Sequence, residues 1–260
     1  MKPTVEVKPC RTQNSIYTMG FIVSFSNTIN LEVSHIDYFK ESNFFLKSFD
    51  YIDFDKNQRG KKNRSIIFKK YISPDKPSWV IKIAQNDIVI LHYDYRRWEY
   101  TWKLCCEFLK EIKFLYQKND VSRIFLGYLD LFYVKDYLNF NYSMLYKKNK
   151  FTPELFFGEN FSNFQYSFPI VPKNTDDLGK WIDIRLSAQP VRISKSKKIS
   201  KFKLYCDTSA SIFFEGINFE NLFNDSVTIN DYAHSLHILL KELIKDMLTD
   251  DMLKKIGIKV

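Results

Sequence analysis

A chain of 260 residues that is 45% hydrophobic, with 24 Phe and 16 Tyr but only 7 Gly and 8 Pro, has a large core to bury and few loop breakers; disorder and low complexity are excluded. Its formal charge of +9 attracts anionic partners without specifying one, and much of its Lys, Asn, Ile, Phe and Tyr content is what A/T-rich codons encode. The amino end lacks the basic-then-apolar pattern of a leader, and the longest uncharged stretch, near Ser15 to Leu31, is interrupted by Ser, Thr and Asn, so a cytosolic protein without a membrane span is expected.

Residues 18–25, TMGFIVSF, read as the first strong strand, and a helix is predicted over about 34–49. The segment 56–64, KNQRGKKNR, then puts five basic residues in nine ahead of the strand-like SIIFKKYI, a Pro-containing turn and two alternating runs, WVIKIA and DIVILHYD, which predict an antiparallel meander with a basic loop at one end. From Arg97 the period changes. Trp98, Trp102, Cys105, Leu109, Ile112 and Tyr116 recur every three or four residues and mark a helix with a broad apolar stripe.

After the break at KND comes SRIFLGYLDLFYVKD, residues 122–136, a long strand expected at the centre of the sheet and covered on both faces. Alternation puts Arg123 with Phe125, Gly127 and Leu129, and Asp130 on the other face with Leu126, Tyr128 and Phe132. The two charges therefore cannot pair, and each needs its own partner because an unpaired buried charge costs several kcal/mol.

Strands are predicted near 163–171, 181–193 and 201–214, the last two joined by a second basic segment. A closing helix begins near Asp231, with Tyr232, Leu236, Leu239, Leu240, Leu243 and Met247 as its stripe and Gly257 at the end of its tail. A helical wheel places His234 opposite that stripe and His237 on its flank. The sum is an α+β chain, mainly antiparallel sheet packed by two principal helices, read as a single domain over 1–260 with halves 1–149 and 150–260 as the other division.

Three stretches resemble an uncharacterised, sporadically distributed bacterial family catalogued among the TIGR protein families. Residues 95–134 are similar to its central signature, where a Tyr/Trp-containing turn and helix lead into a strand of the form R-[IL]-G-[LI]-R-Y-[IV]-N. Arg123, Ile124, Leu126 and Tyr128 match, whereas Phe125, Gly127 and Asp130 replace the glycine, second arginine and asparagine. PTVEV at 3–7 is similar to its opening strand, and INDYAHSLHILLKEL to its closing L-D-x-x-H helix, with Asp231 and His234 on the motif positions. The family's proximity to mobile and phage-defence genes implies an interaction role with a partner encoded nearby.

The expected function is accordingly that of a non-enzymatic sensor, adaptor or antitoxin-like protein. Its working groove is expected between sheet and helices, with Arg123, Tyr128 and Asp130 on one side and Asp231 and His234 on the other. The alternative is nucleic-acid binding through the basic segments 56–64 and 192–203, using Lys56, Arg59, Lys61, Lys62 and Arg64 in one and Arg192, Lys195, Lys197, Lys198 and Lys201 in the other. A remoter reading, a metal-dependent nuclease, would draw on Glu6 and Lys8 or on Asp53 and Asp55. No cofactor or metal is expected. The cysteines Cys10, Cys105, Cys106 and Cys206 lack paired metal spacing and read as reduced thiols, and His234 with His237 has no evident third ligand.

Overall fold

The structure, a computed structural model, describes residues 6–12, 14–56, 64–135, 140–152, 154–157, 163–170, 180–191, 201–224 and 227–259. The elements in order are β1 (Glu6–Pro9), β2 (Ile16–Phe25), α1 (Ser34–Glu41), α2 (Asn43–Ser48), β3 (Tyr51–Lys56), β4 (Arg64–Ser73), β5 (Lys76–Ala84) and β6 (Asp87–His92). Then come α3 (Trp98–Glu111), α4 (Lys113–Tyr116), β7 (Asp120–Lys135), β8 (Asn163–Ile170), β9 (Lys180–Val191), β10 (Lys201–Asn218), α5 (Ile229–Met247) and α6 (Asp250–Lys255).

The fold is α+β, with one mainly antiparallel sheet ordered β3-β4-β5-β6-β2-β7-β10-β9-β8 and β1 added beside β7. Because every neighbour is antiparallel, no crossover forces helices onto both faces. Met19, Phe21, Val23 and Phe25 of β2 alternate into the core with Ile81 and Ile83 of β5 and with Leu204, Cys206 and Ile212 of β10. A single sheet thus runs through both halves of the sequence.

Aromatic residues fill the space between this face and the helices. Phe39, Phe45 and Phe49 from α1, α2 and the residue after α2 meet Phe68 of β4, which also packs edge-on against Phe108 of α3. Under α4, Phe25 stacks on Tyr116 with centroids 4.2 Å apart. Such pairs bury large apolar areas and add direction through the ring quadrupole. The indole N–H of Trp102 in α3 donates to Asn230 Oδ1 of α5 at 2.6 Å, tying the two long helices together.

Two predicted helices are broken. The first gives way at Ser42, whose backbone is extended, so that Phe45 can turn into the aromatic cluster. The second breaks at Ile112, where α3 passes into the short α4. The closing helix starts at Ile229 rather than Asp231, since Thr228 and Asp231 form a reciprocal capping box. Strand β3 had no counterpart in the sequence reading. No helix among the described residues is long and apolar enough to cross a membrane.

The expectation that β7 is covered on both faces is corrected. Its even-numbered side lies under helices, but on the other side Phe125 and Leu129 are part-exposed and Tyr133 is 38% exposed. On this open face the Phe125 ring lies over Gly127, where an added Cβ would sit 2.9 Å from Phe125 Cζ and 3.3 Å from Ser209 Cβ. The Arg123 guanidinium in turn stands 5.8 Å from the Phe125 ring centre. An aromatic ring shielding a strand glycine restores the contact that the missing side chain forfeits. Gly127→Ala should therefore destabilise by about 1 kcal/mol, because ring displacement outweighs the backbone gain. In a Phe125→Leu background the same change should cost less, a coupling read from a urea double-mutant cycle.

Candidate functional site

β7 is hydrogen-bonded on one edge by β10 throughout and on the other by β2 and β1 in turn. The changeover lies at Leu131, which accepts from the Cys10 amide at 2.9 Å and donates to the Ser15 carbonyl at 2.8 Å. The chain between Cys10 and Ser15 is thereby extruded as a small loop, an irregularity of the kind that re-aims side chains. Arg11 on this loop donates to the carbonyls of Tyr93 (2.5 Å) and Tyr95 (3.0 Å) and approaches Asp94 at 3.6 Å. Asn14 donates to Tyr95 O as well. The loop is thus latched to the turn that starts α3.

A cavity of about 480 Å³ opens between this loop, the start of α3, α5 and the tail after α6. At its floor the Ser15 hydroxyl donates to Asp130 Oδ1 at 2.5 Å. Asp130 is 2% exposed, lines the cavity, and receives no other hydrogen bond and no ion pair among the described residues. Burial pushes its carboxyl up to about 6, against the opposing pull of Ser15 and with a smaller push from Asp207.

Beside it, Tyr128 shares a 2.8 Å hydrogen bond with His237 Nδ1. Burial drives His237 down to about 4 and Tyr128 well above its ordinary value, so at neutral pH both are uncharged. The imidazole stacks on Trp98 with centroids 4.4 Å apart, and Trp98 stacks on Trp102 behind it. Ile16, Leu240, Ile244, Ile256 and Ile258 supply the apolar wall. Gly257, at φ 77°, takes the left-handed conformation that turns the tail out of α6.

Basic side chains crowd the mouth. Arg96 leans on Asp94 at 3.3 Å and Lys245 faces Glu242 at 3.8 Å, whereas Arg97, Lys241 and Lys259 have no ion-pair partner among the described residues. Glu99 is the acidic residue at the rim.

Of the sequence-predicted residues, the structure brings Tyr128 and Asp130 into this cavity. Arg123 is not with them: it is on the opposite face of β7, 3.5 Å from the Ser24 hydroxyl. Asp231 caps α5 by accepting from the Thr228 amide and hydroxyl, and His234 is exposed, while His237 one turn on lines the cavity. The two histidine rings are 6.4 Å apart, and among the described residues no three His, Cys, Asp or Glu gather as a metal group. Glu6 pairs with Lys8 at 2.7 Å, and Asp53 accepts from Tyr51 and the Phe54 amide.

Arg59, Lys61, Lys62, Arg192, Lys195, Lys197 and Lys198 lie outside the described residues, as do residues 3–5 of the opening strand. Lys56 is the last residue of β3 and Lys201 the first of β10, and Arg64 donates to the Leu31 carbonyl at 3.2 Å. Ser15, Arg11 and His237 were not singled out from sequence as a set. Their one sequence signal is His237 on the flank of the helical stripe.

Compared with known proteins, the chain matches no family model, no curated protein and no solved structure.

The titrations oppose one another. Asp130 ionises near 3.8 when unfolded and near 6 when folded, so its favourable contribution is complete below pH 3.8 and lost as pH rises through 6. His237 and His92, both driven from 6.5 to about 4 by burial, contribute above pH 6.5 and lose that contribution as pH falls toward 4. Asp130→Asn keeps an acceptor for Ser15 and removes the buried charge. It should stabilise the protein by about 1–3 kcal/mol at pH 7.5 and by nothing below pH 4, as read from urea unfolding at both pH values.

Proposed function

We propose that this chain is a non-enzymatic recognition module, a sensor or adaptor whose working surface is the groove between α3, α5 and the middle of β7. The observation that supports this most is the layering of the groove, with a closely paired carboxyl, hydroxyl and imidazole floor beneath a mouth of unpaired cations. The pairing favours recognition over catalysis. Ser15 is bonded to Asp130 and His237 to Tyr128, so the hydroxyl and the imidazole belong to separate pairs and neither activates the other. Burial also raises the thiols of Cys105 and Cys106, the latter to about 11, which keeps them protonated and unreactive.

The resemblance of the β7 strand and the α5 start to the bacterial family adds a setting: phage defence in the cytosol, with a protein partner encoded nearby. In that setting an adaptor or antitoxin-like neutraliser presents the cationic mouth, Arg97 and Lys241 above all, to an acidic partner surface.

The test is capture from the native bacterial cell with and without nuclease treatment, with wild type beside an Arg97→Glu/Lys241→Glu variant. A stoichiometric protein held by the wild type and lost by the variant, with the melting temperature of the variant unchanged, is the expected outcome. Equal retention by both would move the interaction off the groove. Recovery of nucleic acid in place of protein would make the segments 56–64 and 192–203 the working surface.

A further inference from the structure

We propose, building on the groove as the recognition surface, that its cavity binds a small amphoteric molecule: a nitrogen-bearing donor end at Asp130, an apolar body, and a phosphate or carboxylate end at the mouth.

The floor sets the first requirement. A carboxyl buried in a central strand is normally enclosed by protein donors or a cation, since isolation costs several kcal/mol. Asp130 has Ser15 alone, and it faces the cavity. An amine, amidine or amide N–H entering there supplies the missing donor, and the Tyr128 hydroxyl and His237 ring offer a second polar point beside it.

The mouth sets the second. Arg97, Lys241 and Lys259 stand unpaired over the entrance, so a plain cation would be repelled on entry. A plain anion would be attracted to the entrance and then meet the carboxyl at the floor. A molecule carrying both ends in the order donor inside, anion outside satisfies both charges at once.

The wall sets the third. Trp98 already stacks on Trp102 and on His237, so its ring is engaged within the protein. The body is instead gripped by aliphatic side chains from α5 and the tail, chiefly Leu240, Ile244 and Ile258. A volume of about 480 Å³ admits a molecule up to the size of a nucleoside monophosphate. Two sources share this chemistry, an aminated nucleotide and an amino-carboxylate.

The experiment is calorimetric titration of the full chain at pH 7.5 with adenosine monophosphate and with 6-aminohexanoate. Each is accompanied by its half-molecules: adenosine and ribose 5-phosphate for the first, hexanoate and hexylamine for the second. One whole molecule should bind about tenfold or more tighter than either of its halves, and which one does so identifies the source. Asp130→Asn and Lys241→Glu should each weaken that binding about tenfold, the former in a protein that is no less stable. Halves that bind as well as the whole, affinity unmoved by both variants, or no binding by any probe would overturn the proposal. If no probe binds while the Arg97→Glu/Lys241→Glu variant still loses its protein partner, the ligand class falls and the groove reading stands; if that variant keeps its partner too, both fall.

Discussion

The fold depends on satisfying both edges of β7. Sixteen residues long, this strand runs against β10 on one side for almost its whole length. On the other side no single strand matches it, so β1 and β2 share the edge and hand over at Leu131. A buried backbone cannot leave donors unpaired, and both hydrogen bonds of Leu131 are kept through the changeover. The cost is an extruded loop, and that loop delivers Ser15, Arg11 and Asn14 to the same place. The cavity is thus a by-product of strand pairing, located where the ladder changes partner.

Around that point the sequence departs from the rules that govern the rest of the core. Elsewhere the inward face is mostly Phe, Ile, Leu and Val; here it is Asp130, Tyr128 and Ser15, with Cys206 opposite Asp130 in the register and Thr208 opposite Tyr128. The Thr208 hydroxyl has no hydrogen-bond partner among the described residues. Polar groups and a destabilised carboxyl concentrated at one spot of a mostly apolar layer cost stability, and it is this local cost that the proposed recognition role accounts for. Where α3 and α5 cover this spot, Trp98 of α3 stacks on Trp102 and on His237 of α5, and His237 in turn is hydrogen-bonded to Tyr128 of the sheet.

Much of this was legible locally. The stripe from Trp98 to Tyr116 is buried at every position named, and alternation along β7 assigned Arg123 and Asp130 to opposite faces. What was hidden was non-local or short. Ser15 reaches Asp130 from 115 positions away, and the helical period continues undisturbed through the single-residue breaks at Ser42 and Ile112. The motif resemblance drew attention to His234, while burial selects its neighbour His237, because only the latter lies on the side of α5 that turns toward the sheet. Arg123 belongs to another local structure altogether, the ring-over-glycine arrangement of the open face.

The Trp98–His237 stack also makes the molecule its own optical instrument. Two of the four tryptophans lie in that column, one of them in face contact with the imidazole at the cavity floor. Indole emission is sensitive to the charge and hydration of whatever touches its face, so a proton arriving on His237, or water leaving the cavity, is written into the intrinsic fluorescence of the unlabelled protein. Trp79, outside the column, is itself stacked on His92, which burial also holds near 4, so replacing Trp79 is what isolates the signal of the column.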